Sequence, residues 1–269
     1  MTRPATGDPG RDRRAFGAAL VAVFAAAAMA TLAQHAAMDA MGGEPMHGGW
    51  TLSSAWLRPC GWGAGRAFAA FAGMWGAMTV TMMLPVLAPT LWRYRQRVGS
   101  LASARSTWLV VVAGAGYFAV WMALGAIAFP LGSALTAAAA RLPVLARAMP
   151  FAAGAVVSGA GVLQFSAWKV RRLACCRHAW AHPHPHPSRT DAGAAWRHGV
   201  QVAMRCGACC GNLMAVALAA GMMDLRVMAA VTVAIAAERL APGERVARLV
   251  GGIAIGGGIA MIARAAGLV

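Results

Sequence analysis

The chain has 269 residues, of which 59% are hydrophobic and only 12% are charged. A soluble protein of this length could not bury so much apolar surface in its own core, so the composition favours a lipid bilayer as the solvent. The net charge of +16 comes from arginines in short segments between apolar runs, with no basic stripe interleaved with aromatic residues. This pattern indicates membrane topology rather than nucleic-acid binding, and it predicts an all-α, polytopic transmembrane helical bundle.

Seven apolar stretches approach the roughly 20 residues that a helix needs to cross the hydrocarbon core. The sixth is short and ends at the charged pair Glu238 and Arg239, so a tilted or partly re-entrant path is the alternative there. This pair is expected to be interfacial, with a proton or cation relay as the alternative. The predicted spans are 15–33, 67–91, 107–129, 150–168, 199–221, 226–240 and 247–266.

The distribution of Lys and Arg predicts the orientation of these spans. Seventeen of the 24 basic residues lie in four alternate segments, at 1–14, 92–106, 169–198 and 239–248. The positive-inside rule places these segments in the cytoplasm. The protein is therefore expected in the bacterial inner (plasma) membrane, with a cytoplasmic amino terminus and an extracytoplasmic carboxyl terminus.

The predicted organisation is a basic arm over 1–14, a first span over 15–33, an extracytoplasmic Met/His loop over 34–66 and a helical domain over 67–266. The helical domain includes a cytoplasmic His-Pro loop over 169–198. The first span has an alternative interpretation, because arginines precede it and Ala28-Met29-Ala30 is typical of a signal-peptide cleavage site. Cleavage would leave six spans.

Cysteines form the most specific pattern in the chain. Cys206, Cys209 and Cys210 are three or four residues apart, so on a helix their thiols share one face within reach of a single ion. Cys175 and Cys176 follow the fourth span and can approach the same region, and His178 and His198 add imidazole ligands. Soft thiolates select copper(I), zinc or an iron–sulfur cluster. Packing as small apolar residues and thiol redox chemistry are the alternatives.

Methionine is the second unusual residue, with 17 in the chain. Met74, Met78 and Met82 recur at fourfold spacing on one face of the second span, where core packing competes with weak copper(I) binding. A second set in the first external loop predicts metal capture, with chance composition as the alternative. This set is His35, Met38, Met41, Met46 and His47.

Several motifs resemble those of the bacterial family of predicted metal-binding integral membrane proteins, otherwise catalogued as a domain of unknown function. The similarity runs from about Phe68 to Ala266, and its most specific part is the string Cys206-x-x-Cys209-Cys210-x-x-Leu213-Met214. The family usually has two cysteines three residues apart after the fourth span, whereas here Arg172 occupies the earlier position and Cys175 stands beside Cys176. The resemblance implies a membrane metal-binding role without naming the metal.

These patterns predict binding of a soft transition metal, with copper(I) first and zinc second, and transport or delivery as the further role of that binding. The expected partners are the bilayer, the metal ion and a metallochaperone or another membrane protein, with no nucleic acid. No nucleotide-binding loop or Ser-His-Asp set is recognisable, so we do not expect primary ATP-driven transport by this chain alone. We expect a protein that is not an enzyme, with thiol redox activity as the alternative. The alternatives are a membrane thiol-redox protein that uses Cys209 and Cys210, and a non-catalytic assembly subunit.

Overall fold

The computed structural model of the chain describes residues 9–41, 44–45, 51–52, 63–98, 103–181, 191–221, 224–240 and 244–268. Within these ranges the chain is almost entirely helical, which confirms the predicted all-α class. The helices are α1 (Pro9–Met41), α2 (Ala64–Val98), α3 (Ser103–Arg141), α4 (Pro143–Leu163), α5 (Ala167–Ala181), α6 (Ala192–Gly221), α7 (Leu225–Leu240) and α8 (Arg245–Ala265). Two short strands, β1 (Glu44–Pro45) and β2 (Thr51–Leu52), pair antiparallel between α1 and α2.

Six of the helices in the described part of the chain, all but α5 and α7, are long and apolar enough to cross a membrane, with mean hydropathies from 1.3 to 2.1. Large apolar side chains on their outer faces, such as Val21, Ile127 and Leu249, are exposed, as expected of surfaces that contact lipid. The chain is therefore compatible with a membrane protein.

The predicted sixth span is a helix, but α7 is not among these six. Its 16 residues are about 24 Å long at 1.5 Å per residue, which is less than the hydrocarbon thickness. The seven-span prediction is corrected to six long apolar helices and one short helix, with the first helix counted among the six.

The predicted loops are also partly helical. Most of the described part of the 169–198 segment belongs to α5 and to the first turns of α6, because α5 begins at Ala167 and α6 at Ala192. Similarly, α1 extends to Met41, inside the segment assigned to the first external loop. Sequence hydropathy missed these extensions since a polar or amphipathic sequence can be helical outside the apolar core of a span.

Contacts between helices show that the chain passes repeatedly between two ends of the bundle. At one end, Arg95 of α2 binds Asp12 of α1 and Thr107 of α3, while Tyr94 stacks on His198 of α6. At the other end, Met74 lies near Leu225, the first residue of α7. Helix α7 runs from this second end back to the first. Helix α5 stays at the first end, and the other seven described helices alternate in direction, although α7 is short.

Glycine allows α3 and α6 to approach closely. A Cβ atom at Gly199 would overlap the carbonyl oxygen of Ala113, and one at Gly116 would lie 2.6 Å from the carbonyl oxygen of Trp196. Close backbone contact between small residues is typical of helix pairs in membranes, where lipid supplies no hydrophobic drive for association. This contact brings Tyr117 of α3 against the cysteine-bearing face of α6.

A second glycine contact joins α4 to α8. A Cβ atom at Gly251 or Gly258 would lie 2.9 Å or less from a carbonyl oxygen of α4, at Gly161 and Gly154 respectively. A Cβ atom at Gly252, Gly256 or Gly257 would have no described atom of a neighbouring helix within 4 Å. The packed glycines of α8 are therefore seven residues apart.

Candidate metal centre

Four cysteines are buried together where α5 and α6 meet, and we call Cys176, Cys206, Cys209 and Cys210 the thiol cluster. Cys206 and Cys210 are one turn apart on α6, and their sulfur atoms lie 3.6 Å from each other. The thiol of Cys209 forms a hydrogen bond with that of Cys176 of α5 instead. Each of the four is 7% exposed or less. The cluster is thus two neighbouring thiol pairs.

Backbone and hydroxyl groups fix the orientation of these thiols. The Tyr117 hydroxyl donates to Cys206 Sγ at 3.1 Å, and Cys210 Sγ donates to the carbonyl oxygen of Cys206 at 3.0 Å. Cys176 Sγ donates to the carbonyl oxygen of Arg205 at 3.4 Å. The hydrogen bond with Cys209, followed by burial, raises the pKa of Cys176, so this thiol is protonated at neutral pH in the metal-free protein.

Arg239 lines one cavity with Cys176 and Cys206, and its positive charge acts on all four thiols. Its Nε and Nη2 atoms are buried and have no hydrogen-bond partner among the residues that the structure describes. Buried guanidinium nitrogens without hydrogen bonds are costly, whereas a neighbouring thiolate would compensate the charge of Arg239. The site is therefore built to favour negative charge on sulfur.

A cavity of about 80 Å³ connects the thiol cluster to one end of the bundle. Arg239, Cys176 and Cys206 line it together with further arginines from α2 and α6, and no acidic residue is among the lining residues that the structure describes. The described lining is Thr90, Arg93, Tyr94, Arg97, Cys176, His198, Val202, Arg205, Cys206 and Arg239. This arginine-lined cavity is a positively charged approach to two of the thiols.

A buried ion pair holds the helices around the cluster. Lys169 Nζ lies 2.8 Å from Glu238 Oε2, and both side chains are 2% exposed or less. Lys169 also donates to the carbonyl oxygen of Cys209 at 2.6 Å and to Asn212 Oδ1 at 3.2 Å. Gln164 Nε2 donates to Glu238 Oε1 at 2.6 Å. This network joins α5, α6, α7 and the end of α4 at the depth of the cysteines.

The expectation of an interfacial pair between Glu238 and Arg239 was wrong. Glu238 is buried and pairs with Lys169, while Arg239 faces the thiols. Adjacent residues on a helix point in different directions, so two neighbouring charges on α7 serve two different parts of the site.

Other predicted ligands lie further out. Cys175 is exposed, although its neighbour Cys176 is buried. His198 lines the arginine-lined cavity and stacks on Tyr94 with ring centroids 4.9 Å apart. The side chain of His178 lies outside the described residues. The structure therefore brings four of the predicted ligands together and places Cys175 and His198 outside the cluster.

Two of the predicted methionine-face residues meet His35 at the opposite end of the bundle. Met74, Met78 and Met82 are all 4% exposed or less. Met74 and Met78 line a small cavity with His35, whereas Met82 packs in the core one turn closer to the cysteines. Of the remaining residues assigned to metal capture, Met46 and His47, and the side chains of Met38 and Met41, lie outside the described residues.

Sequence reasoning missed four residues of the site. Tyr117, Lys169 and Asn212 lie on α3, α5 and α6, and Gln164 follows α4; hydrogen bonds between different helices connect them to the site. The available signal was the rarity of polar side chains in membrane helices, which makes each one a candidate for function. Lys169 was assigned to a cytoplasmic loop, so its burial could not be anticipated.

Residues 72–261 match the model of a family described as PpoB2, copper chaperone. That match covers more than two thirds of the chain. The chain belongs to the PpoB2 copper chaperone family. No curated protein and no solved structure matches it. Membership of this family assigns a copper-related function and gives the thiol cluster a chemical context, because copper(I) is a soft ion that prefers sulfur ligands.

The arrangement of the thiols limits how a metal can be held. Within the described ranges, no three His, Cys, Asp or Glu side chains already form a group that could hold a metal ion. A pair of thiols is nevertheless present in Cys206 and Cys210. An ion that accepts two sulfur ligands needs only this pair, whereas one that requires four would need both thiol pairs to rearrange around a common point.

Proposed function

We propose that this protein is a membrane-embedded copper(I) chaperone that binds its cargo through the thiol cluster and passes it to a partner protein. The convergence of four buried thiols on the buried guanidinium of Arg239 carries this proposal. Thiolates bind copper(I) strongly, and a buried cation offsets the negative charge that they bring. We expect the protein to bind and deliver the ion without catalysing a reaction.

Charge balance supports copper(I) over zinc as the cargo. Copper(I) with the two thiolates of Cys206 and Cys210 carries a net charge of about −1, which one guanidinium compensates. Zinc favours four ligands, and its complex with four thiolates carries about −2, which Arg239 alone leaves half compensated. Zinc is therefore the second candidate for the cargo.

The charge distribution supports an orientation in the bacterial inner membrane. Arginines of α2, α6 and α7 line the cavity at the thiol-cluster end, and that end also contains the basic residues of α5. The positive-inside rule then assigns the thiol-cluster end to the cytoplasm. Copper would exchange there with a soluble metallochaperone or with another membrane protein through the arginine-lined cavity.

A copper(I) competition titration on the detergent-purified protein tests the proposal. We expect Cys206→Ala with Cys210→Ala to weaken copper(I) binding at the cluster by more than about 100-fold, since even residues that only orient a ligand contribute about 10- to 100-fold. Cys175→Ala is the matched control, because this cysteine is adjacent to Cys176 but exposed, and it should bind like the wild type. Unchanged affinity in the double variant would contradict Cys206 and Cys210 as the ligands, and full function without any cysteine would favour a non-catalytic assembly subunit instead.

Thiol redox chemistry is the second candidate, favoured by the 3.6 Å separation of the Cys206 and Cys210 sulfur atoms. The pair Cys209 and Cys210, suggested by sequence, is less suitable because Cys209 faces Cys176 whereas Cys210 faces Cys206. Trapping a mixed disulfide at Cys206 or Cys210 with a thiol-bearing protein would support this candidate. Thiols that resist alkylation in the metal-free protein would contradict it.

A further inference from the structure

Three helices place soft ligands around a second cavity, far from the thiol cluster. We call it the methionine cavity; it is lined by Met74 and Met78 of α2, Met228 of α7 and His35 of α1, together with Thr31, Gln34 and Leu225. The two thioethers of α2 are one turn apart on a single face. Among the lining residues that the structure describes, none is a cysteine and none is charged.

The cavity suits an ion and little else. Its volume is about 10 Å³, which is near the lower limit for one water molecule. Met74 is 4% exposed, Met78 2% and Met228 7%, so the sulfur atoms are held within the bundle and not at its surface. Three thioethers and an imidazole around a space of this size form a ligand set that is soft, neutral and enclosed.

We propose that the methionine cavity is a second copper(I) site, in which Met74, Met78 and Met228 supply thioether ligands and His35 an imidazole. This inference rests on the proposed copper cargo of the thiol cluster. Neutral ligands need no loss of protons and leave the ion its single positive charge, so no cation such as Arg239 is needed beside this site. Soft, neutral ligands discriminate against divalent hard cations.

The position of the cavity gives the second site a role. It lies at the end of the bundle opposite the thiol cluster, and Met82, one turn further along α2, packs in the same buried core as Cys206 and Cys210. The axial rise from Met78 to Met82 is about 6 Å at 1.5 Å per residue. Thioethers do not form disulfides, so a methionine site would keep its ligands on an oxidising face where thiols would not. Copper would be received at the cavity and then held at the cluster.

Removing the thiols isolates the second site for measurement. In a variant with Cys176, Cys206, Cys209 and Cys210 all changed to Ala, we expect one copper(I) ion per chain to remain bound, with thioether and nitrogen ligands in the X-ray absorption spectrum. Adding Met74→Leu and Met78→Leu to this variant should abolish the remaining copper(I) binding. Met83→Leu is the matched control, because this residue is fully buried on the same helix but does not line the cavity. Leucine replaces methionine at nearly equal volume, so folding should be retained.

A second variant and a second readout keep the test decisive. His35→Gln changes a residue of α1, a helix whose surface is largely exposed. This substitution should lower the affinity for the remaining copper(I) without unfolding the bundle. Copper binding at thiols releases protons, whereas binding at thioethers releases none, so titration in two buffers distinguishes the sites. A four-alanine variant that binds no copper, beside a wild type that does, would overturn the second site and leave the thiol site intact. A wild type with no thiolate-bound copper would instead refute the proposed function.

Discussion

The two ends of the bundle contain soft ligands of opposite character. The thiol cluster sits among ionised groups, with Arg239 beside the sulfur atoms and the buried pair of Lys169 and Glu238 behind Cys209. The lining residues described for the methionine cavity are all uncharged when His35 is neutral. Thiols become anionic when they bind a metal, whereas thioethers stay neutral, so only the cluster needs a neighbouring cation. The ligand chemistry of each end therefore accounts for the polarity of its surroundings.

The largest effect should follow from breaking the buried ion pair. Lys169→Met leaves the Glu238 carboxylate buried without its cation, and we expect it to lower the free energy of unfolding by about 3–5 kcal/mol. Met74→Leu at the opposite end should cost less than about 1.5 kcal/mol, because volume is conserved and no charge is exposed. Thermal unfolding in detergent measures both.

A double variant separates loss of charge balance from loss of packing. Lys169→Met with Glu238→Gln removes both charges and should recover most of the stability. Arg248→Gln breaks an exposed pair with Glu244 and should change the free energy of unfolding by no more than about 1 kcal/mol. Equal destabilisation by the single and double variants would contradict a charge-based role for Lys169.

Removing the cation at the thiols should have the next largest effect. We expect Arg239→Gln to reduce copper(I) affinity at the thiol cluster by about 10- to 100-fold, the range for groups that support metal ligands. The affinity should also fall more steeply as the pH is lowered, because protons then compete better for sulfur that has lost its counter-ion. Copper(I) competition titrations at several pH values give both quantities.

Arg239→Lys keeps the charge and should restore most of the affinity. The copper(I) affinity of the methionine cavity should be the same in both variants as in the wild type. A similar loss of copper at the two ends would mean that Arg239 acts through the fold as a whole rather than on the thiols.

The smallest effect should come from the tyrosine hydroxyl. Tyr117→Phe removes the hydrogen bond to Cys206 Sγ, which contributes about 0.5–1.5 kcal/mol, so copper(I) affinity should fall by about 2- to 10-fold. Tyr94→Phe is the control, because Tyr94 lines the arginine-lined cavity and stacks on His198. The same competition assay compares them; an equal loss in both variants would assign the effect to the cavity wall instead of the hydroxyl.

The sequence predicted those parts of the site that follow from spacing along one helix. Cys206 and Cys210 at fourfold spacing meet as expected, and the methionine face of α2 is buried as a unit. Hydropathy also identified the long apolar helices. An apolar segment in lipid must satisfy its own backbone hydrogen bonds, so a long apolar run predicts a helix.

Contacts between distant helices could not be predicted in the same way. The pairing of Lys169 with Glu238 joins residues 69 positions apart, and it depends on α5 folding back against α6 and α7. The separate roles of Glu238 and Arg239 depend on the rotation of α7 about its axis, which its weakly amphipathic sequence does not specify. The meeting of His35 with Met228 likewise requires the packing of α1 and α7 on α2.

The most direct test of thiolate-bound copper is the copper K-edge X-ray absorption spectrum of the protein with one equivalent of copper(I). We predict a shell of sulfur ligands in the wild type and in Cys175→Ala, and the loss of the thiolate contribution in Cys206→Ala with Cys210→Ala. An identical copper environment in the wild type and the double variant would contradict the assignment of the thiol cluster as the copper site.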